Sequence, residues 1–119
     1  MSNFLFTPIN LGFIVVNPGI HGTTTRITYT VPLGHRAEVR SGVMQFGYVA
    51  GFAINISNLT MQINGANKIL MVNRDFANMH TIEIGSIDLV TGDTILMLTI
   101  QNAVGAISYA GSLFIREYQ

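Results

Sequence analysis

Hydrophobic side chains recur along this chain with a period of two, in short runs punctuated by Gly, Pro, Asn and Asp. Residues 24–31 show the pattern cleanly: Ile27, Tyr29 and Val31 fall on one face, Arg26, Thr28 and Thr30 on the other. Successive side chains of a strand point to opposite faces, so this segment reads as a strand with one wet side. Nowhere does the i, i+3, i+4, i+7 spacing of an amphipathic helix persist over a helical length. The pattern predicts an all-β chain of about eight strands, in residues 4–16, 24–31, 37–46, 53–63, 68–72, 80–89, 94–102 and 107–117. Pro8 and Gly12 are expected to break the first of these into one or two pieces.

The turns are equally legible. Asn64-Gly65 predicts a two-residue hairpin, since both residues accept positive φ. Pro18-Gly19, Pro32-Leu33-Gly34-His35 and Thr91-Gly92-Asp93 mark further reversals. The apolar parity switches beside Gly42 and again beside Gly85, which predicts a bulge or bend at each. Residues 47–52, Gly-Tyr-Val-Ala-Gly-Phe, read as an apolar loop that either tucks into a subunit contact or meets a receptor. Tyr48 and Phe52, with Phe76 from the polar loop 73–79, are the candidate ligand or receptor contacts.

In the last two strands both faces are apolar. Leu96, Leu98 and Ile100 share one side of residues 94–102, and Ile95 and Met97 the other. In the closing strand Ile107, Tyr109, Leu113 and Ile115 oppose Ala110, Phe114 and Tyr118. One face of each builds a sandwich core. The other would be a contiguous exposed apolar patch, which soluble monomers avoid beyond a few hundred Å². The expected architecture is therefore a single-domain antiparallel β-sandwich, residues 1–119, of jelly-roll type, which buries its second face against copies of itself. Leu96, Met97, Tyr109, Phe114 and Tyr118 are the candidate oligomer-interface residues.

Composition sharpens this picture. Only 10% of the 119 residues are charged while 49% are hydrophobic, against about 25% charged in ordinary soluble domains. Six basic and six acidic residues cancel without a basic cluster, which argues against nucleic-acid binding. With no cysteine, disulfides and thiol chemistry are excluded. The longest apolar runs have four residues, as at 13–16 and 95–98, far short of the ~20 that span a bilayer. The opening MSNFLFTPIN has neither the basic start nor the apolar run of a secretory signal. We expect a chain used without Sec export, or one from which a signal has been removed.

Catalytic motifs are missing from the sequence: there is no Gly-x-Ser-x-Gly elbow and no phosphate-cradling glycine loop before a helix. His21, His35 and His80 are scattered, without His-x-His or His-Glu-x-x-His. Asp75, Asp88 and Asp93 offer oxygen ligands for Ca²⁺, but Asp93 reads better as shaping its own turn. Glu38, Glu83 and Glu117 are expected to pair with Arg40, Arg36 or Arg116 on strand surfaces. The expectation is a non-enzymatic protein with no cofactor and no metal.

The C-terminal third resembles the C1q/TNF-like jelly-roll domains. The residues that carry the resemblance are Leu89, then Gly92-Asp93, the alternating 95–98, and Tyr109-Ala110-Gly111-Ser112-Leu113-Phe114. Bacteriophage spikes, fibre heads and small capsid proteins are similar single jelly rolls, many with a step like Tyr29-Thr30-Val31-Pro32-Leu33-Gly34. The absence of cysteine and of a secretory signal favours these phage-type relatives. The resemblance implies a homotrimer with the closing strand near the threefold axis, a pentamer being the alternative. It also implies a virion structural protein among other virion proteins, with a role in host attachment through a surface glycan or protein. The alternative is an extracellular, lectin-like carbohydrate-binding module, since jelly rolls often serve as lectins and loop aromatics can stack on sugars.

Overall fold

A computed structural model of the chain describes residues 7–18, 22–50, 58–72, 80–101 and 106–119. Nine strands account for nearly all of them: β1 (Thr7–Pro18), β2 (Gly22–Thr30), β3 (Arg36–Ala50), β4 (Asn58–Ile63), β5 (Ala66–Val72), β6 (His80–Ile84), β7 (Ile87–Leu89), β8 (Thr94–Gln101) and β9 (Ala106–Tyr118). One sheet runs β1-β9-β3-β6, with β7 also on β3, and the other runs β2-β8-β4-β5. All pairings are antiparallel. Because β6 and β7 follow one another along β3, the nine strands fill the eight places of a jelly-roll sandwich.

The break between β6 and β7 falls at Gly85-Ser86, where the parity switch predicted it. Near Gly42 the bulge is present one step earlier, between Val39 and Ser41, with Arg40 the extra residue. Asn64 and Gly65 both take positive φ, at 51° and 81°, and close the β4–β5 hairpin.

Two expectations are corrected. β1 is continuous from Thr7 to Pro18, through both Pro8 and Gly12. It is the edge strand, paired only with β9, and an edge tolerates a proline that has no N–H to give to a ladder. Residues 47–50 are strand rather than loop, since Gly47 pairs with Ser108 and Tyr48 with Ile107.

Between the sheets lies a core of residues almost wholly shielded from solvent. Val39, Met44, Phe46, Tyr109, Leu113 and Ile115 come from one sheet, and Leu59, Met61, Met71, Ile95 and Met97 from the other. Four methionines in one small core suit a narrow gap, because an unbranched thioether fills irregular space. Phe46 meets Tyr109 edge-on, with ring centroids 5.0 Å apart. Tyr109 carries its hydroxyl to the Ile100 carbonyl at 3.2 Å, so its polar end is satisfied inside.

Two glycines permit close approach rather than unusual turns. A Cβ on Gly111 would stand 2.7 Å from the Phe13 ring and 2.9 Å from the Met97 sulfur. The missing side chain is what lets Phe13, from the edge strand, reach the core over β9. A Cβ on Gly42 would stand 2.7 Å from the backbone oxygen of Ser112. The body measures 58 × 21 × 18 Å, a long narrow sandwich whose axis matches the roughly 50 Å of a 15-residue strand such as β3.

All four sheet edges are interrupted. β1 carries Pro8, the β6–β7 edge breaks at Gly85, β2 bulges at Arg26, and β5 bulges at Lys68. Such devices oppose strand addition from a neighbour. The two glycines make a matched test of close packing. Gly42→Ala should cost about 1–3 kcal/mol by urea denaturation, because a strand backbone must move. Gly85→Ala has open space around its Cβ and should stay within about 0.5 kcal/mol of the parent. Equal midpoints for the two variants would remove the packing argument.

Candidate functional site

The outward face of the β2-β8-β4-β5 sheet is the least charged surface of the described residues. Strand β8 alternates strictly: Ile95, Met97 and Thr99 are buried, while Leu96, Leu98 and Ile100 look out and are half-buried. Register places Thr25 on one side of Leu98 and Thr60 on the other, with Leu70 beyond, 50% exposed. Thr28, Leu96 and Gln62 form the next row, and Thr23, Ile100 and Asn58 the one above. No acidic or basic side chain occupies these paired rows; Lys68 sits apart, at the edge bulge. The Oδ1 of Asn58 is buried with no hydrogen-bond partner, a situation that costs on the order of 1–3 kcal/mol.

The outward face of the β1-β9-β3-β6 sheet is different. Strand parity and register put Arg36, Glu38, Glu83, Asp88 and Arg116 on it. Glu38 accepts from Arg40 at 2.9 Å, an expected pairing. Phe114 and Tyr118, both half-buried, share this face with the small residues Gly12, Ser41 and Ser112. Across its middle runs an open groove of about 620 Å³. Its outward lining is Asn10, Ser41, Val43, Glu83, Ser112 and Phe114.

A polar cluster ties the two sheets together at one end. Glu117 lies on the inward side of β9, in step with Tyr109, Leu113 and Ile115, and is only 9% exposed. Its Oε2 accepts from the Tyr29 hydroxyl of β2 at 2.6 Å, and its Oε1 from His35 Nδ1 at 2.6 Å. The Nε2 of His35 meets the Gln119 amide nitrogen at 3.0 Å. The Thr91 hydroxyl donates to the His35 carbonyl and so attaches the β7–β8 turn. Burial, then the hydrogen bond to Glu117, then the nearby negative charge hold the Tyr29 hydroxyl well above its ordinary pKa. Glu117 had been expected on the surface beside an arginine; the parity of β9 overturns that, because an odd-numbered position there points inward. Asp93 shapes its own turn, as expected, accepting from Val90 N and the Asn64 amide at 2.9 Å each. Those two bonds, Asn64 first, hold its carboxyl below the usual range.

The five candidate interface residues do not share one surface. Leu96 stands on the uncharged face, and Phe114 and Tyr118 on the opposite sheet. Met97 and Tyr109 are corrected: both are fully buried inside the subunit, Met97 against Gly111 and Tyr109 against Phe46. Of the candidate contact residues, Tyr48 has its backbone in β3, and Phe52 and Phe76 lie outside the described residues. Sequence reasoning missed the groove and the Tyr29–Glu117–His35 cluster. The signal for the cluster was an acidic residue in phase with a core stripe. Among the described residues, no three His, Asp or Glu side chains come close enough to hold a metal ion.

The cluster generates a signed prediction. A raised pKa in the folded chain means that Tyr29 contributes stability at neutral pH, which is lost as pH rises beyond about 10, where the unfolded chain gives up this proton first. Thermal melts should fall less steeply above pH 10 in Tyr29→Phe than in the parent. At pH 7, Glu117→Ala should cost about 1–3 kcal/mol, because it leaves the Tyr29 and His35 donors without an acceptor. Parallel alkaline slopes would show that Tyr29 ionises equally in both states.

Neither a protein-family model nor a curated protein matches this chain, so the geometry of its faces carries the functional reading.

Proposed function

We propose that this protein is a self-assembling structural jelly roll of a virion: a spike, fibre-head or capsid-associated component with a role in host attachment. Copies associate through the outward face of the β2-β8-β4-β5 sheet, in a trimer. The observation that carries the assembly is the outward line Leu96, Leu98 and Ile100, joined by Leu70, on a face whose paired rows hold no charge. The four interrupted edges support a face-to-face contact over strand addition. Hiding ~500 Å² of apolar surface per subunit is worth roughly 12 kcal/mol gross, before the costs of association.

The opposite face suits a contact less well. Arg36, Glu38, Asp88 and Arg116 stand there, and each would have to be desolvated or matched. The trimeric order and the virion setting come from the resemblance to C1q/TNF-like and phage jelly rolls, and the jelly-roll strand order is in keeping with both.

Light scattering on a size-exclusion column, at two concentrations, tests the assembly. The parent should show a mass of three subunits, and Leu98→Arg a mass of one with unchanged circular dichroism. Phe114→Asp should keep the parent mass. A monomeric parent would sink the proposal, and dissociation by Phe114→Asp alone would move the interface to the other sheet. Genes for virion proteins flanking this one would support the virion setting; a neighbourhood without them would count against it.

A further inference from the structure

We propose that the groove on the outward face of the β1-β9-β3-β6 sheet binds a neutral saccharide, with Phe114 as the surface on which a sugar ring rests. Two cross-strand rows build it. Asn10, Phe114 and Ser41 stand in one, and Ser112, Val43 and Glu83 in the next. The floor is low because its side chains are small: Ser112 and Ser41 are hydroxymethyl groups, and Gly12, paired with Ser112 on β1, has no side chain. Phe114 and Val43 rise half-buried beside that floor, while Asn10 and Glu83 are exposed at opposite ends of the rows. The groove's 620 Å³ falls inside the roughly 300–1,000 Å³ of small-molecule clefts.

Its chemistry matches a pyranose better than other small ligands. A sugar ring presents an apolar C–H face and a rim of hydroxyls that both donate and accept. The groove presents an aromatic ring, two hydroxyls, an amide and a carboxylate, so each part of the ligand meets its complement. A phosphate, sulfate or sialic-acid carboxylate would find no cation in the lining, and Glu83 would repel it. A purely apolar ligand would strip water from Asn10, Ser41, Ser112 and Glu83 without replacing their hydrogen bonds. The site lies on the sheet opposite the proposed assembly face, so it does not depend on that assembly.

Titrations of ¹⁵N-labelled protein with maltotriose, chitotriose and lactose test this, with 3′-sialyllactose as the anionic comparison. At least one neutral sugar should give saturable shifts at Ser41, Ser112 and Phe114, and the sialylated sugar should give weaker ones. Phe114→Ala should weaken binding about tenfold, the loss of one good aromatic contact. Ser112→Val, which raises the floor without removing the ring, should weaken it as well. Leu98→Arg should keep the same affinity in solution while losing signal on a glycan array, where assembled copies bind together. An absence of shifts with every neutral sugar at tens of millimolar overturns the proposal. So does binding as tight as the parent's by both groove variants, or tighter binding of 3′-sialyllactose.

Discussion

The fold depends on what happens where strand β9 crosses the middle of its sheet. β9 is paired along its length on both sides, with β1 and β3, so its inward side chains must pack directly against the second sheet. At Gly111 the inward position is empty, and Phe13 and the Met97 sulfur fill the space that a side chain would take. That one vacancy brings the edge strand, the closing strand and the facing sheet into mutual contact. Gly42 serves the same end on the other flank, where Ser112, Leu113 and Ile84 crowd its inward side. A sandwich only 21 × 18 Å in section has no deeper layer on which to fall back. Its stability rests on continuity of this thin seam, and the Tyr29–Glu117–His35 bonds close the seam at one end.

Much of this was legible in the residues. A period-two pattern with Asn-Gly, Gly-Asp and Pro-Gly punctuation could produce little but an antiparallel sandwich, and the Asn64-Gly65 hairpin and the Gly85 break stand where the chain announces them. What stayed hidden was a choice between near-equals. Strand β8 offers Leu96, Leu98 and Ile100 on one side and only Ile95 and Met97 on the other, so counting apolar residues favours the wrong side as core. The facing strands decide it, because Met61 and Leu59 of β4 already point inward and pair with Met97 and Thr99. Likewise, Pro8 reads as a strand breaker until the strand is known to lie at an edge. Glu117 reads as a surface charge until β9 is known to turn its odd positions inward. The groove was invisible because it is made of residues 40 to 104 positions apart, brought side by side by register alone.

The distribution of the few charges is the feature that separates the two outward faces. A chain with 10% charged residues cannot wet both faces of a long sandwich with ions. Here five of the twelve charges stand on the β1-β9-β3-β6 face, and Arg40 joins them through Glu38. The other face relies on threonine, asparagine and glutamine around its aliphatic line. Threonine offers water one hydroxyl while its methyl adds to the apolar surface, so such a face loses little when covered. The charged face would pay desolvation on closure. An even scatter of the same charges would leave no reason to prefer either face.

If the uncharged faces meet about a threefold axis, the three charged faces, each with its groove, point away from that axis. Such a shallow, half-polar cleft binds a single sugar weakly, since most of its hydrogen bonds merely replace those to water. Three grooves on one body change the arithmetic, because the second and third contacts on a glycan-covered surface become intramolecular. A gain of even two orders of magnitude needs no new contact, only that the grooves be rigidly held and able to engage together. Rigidity comes from placing the site on paired strands rather than on loops, so the ring of Phe114 and the serine hydroxyls keep their spacing whether or not a ligand is present. On this view the sheet that keeps its charges is the binding surface, and the sheet that gave them up makes the binding effective.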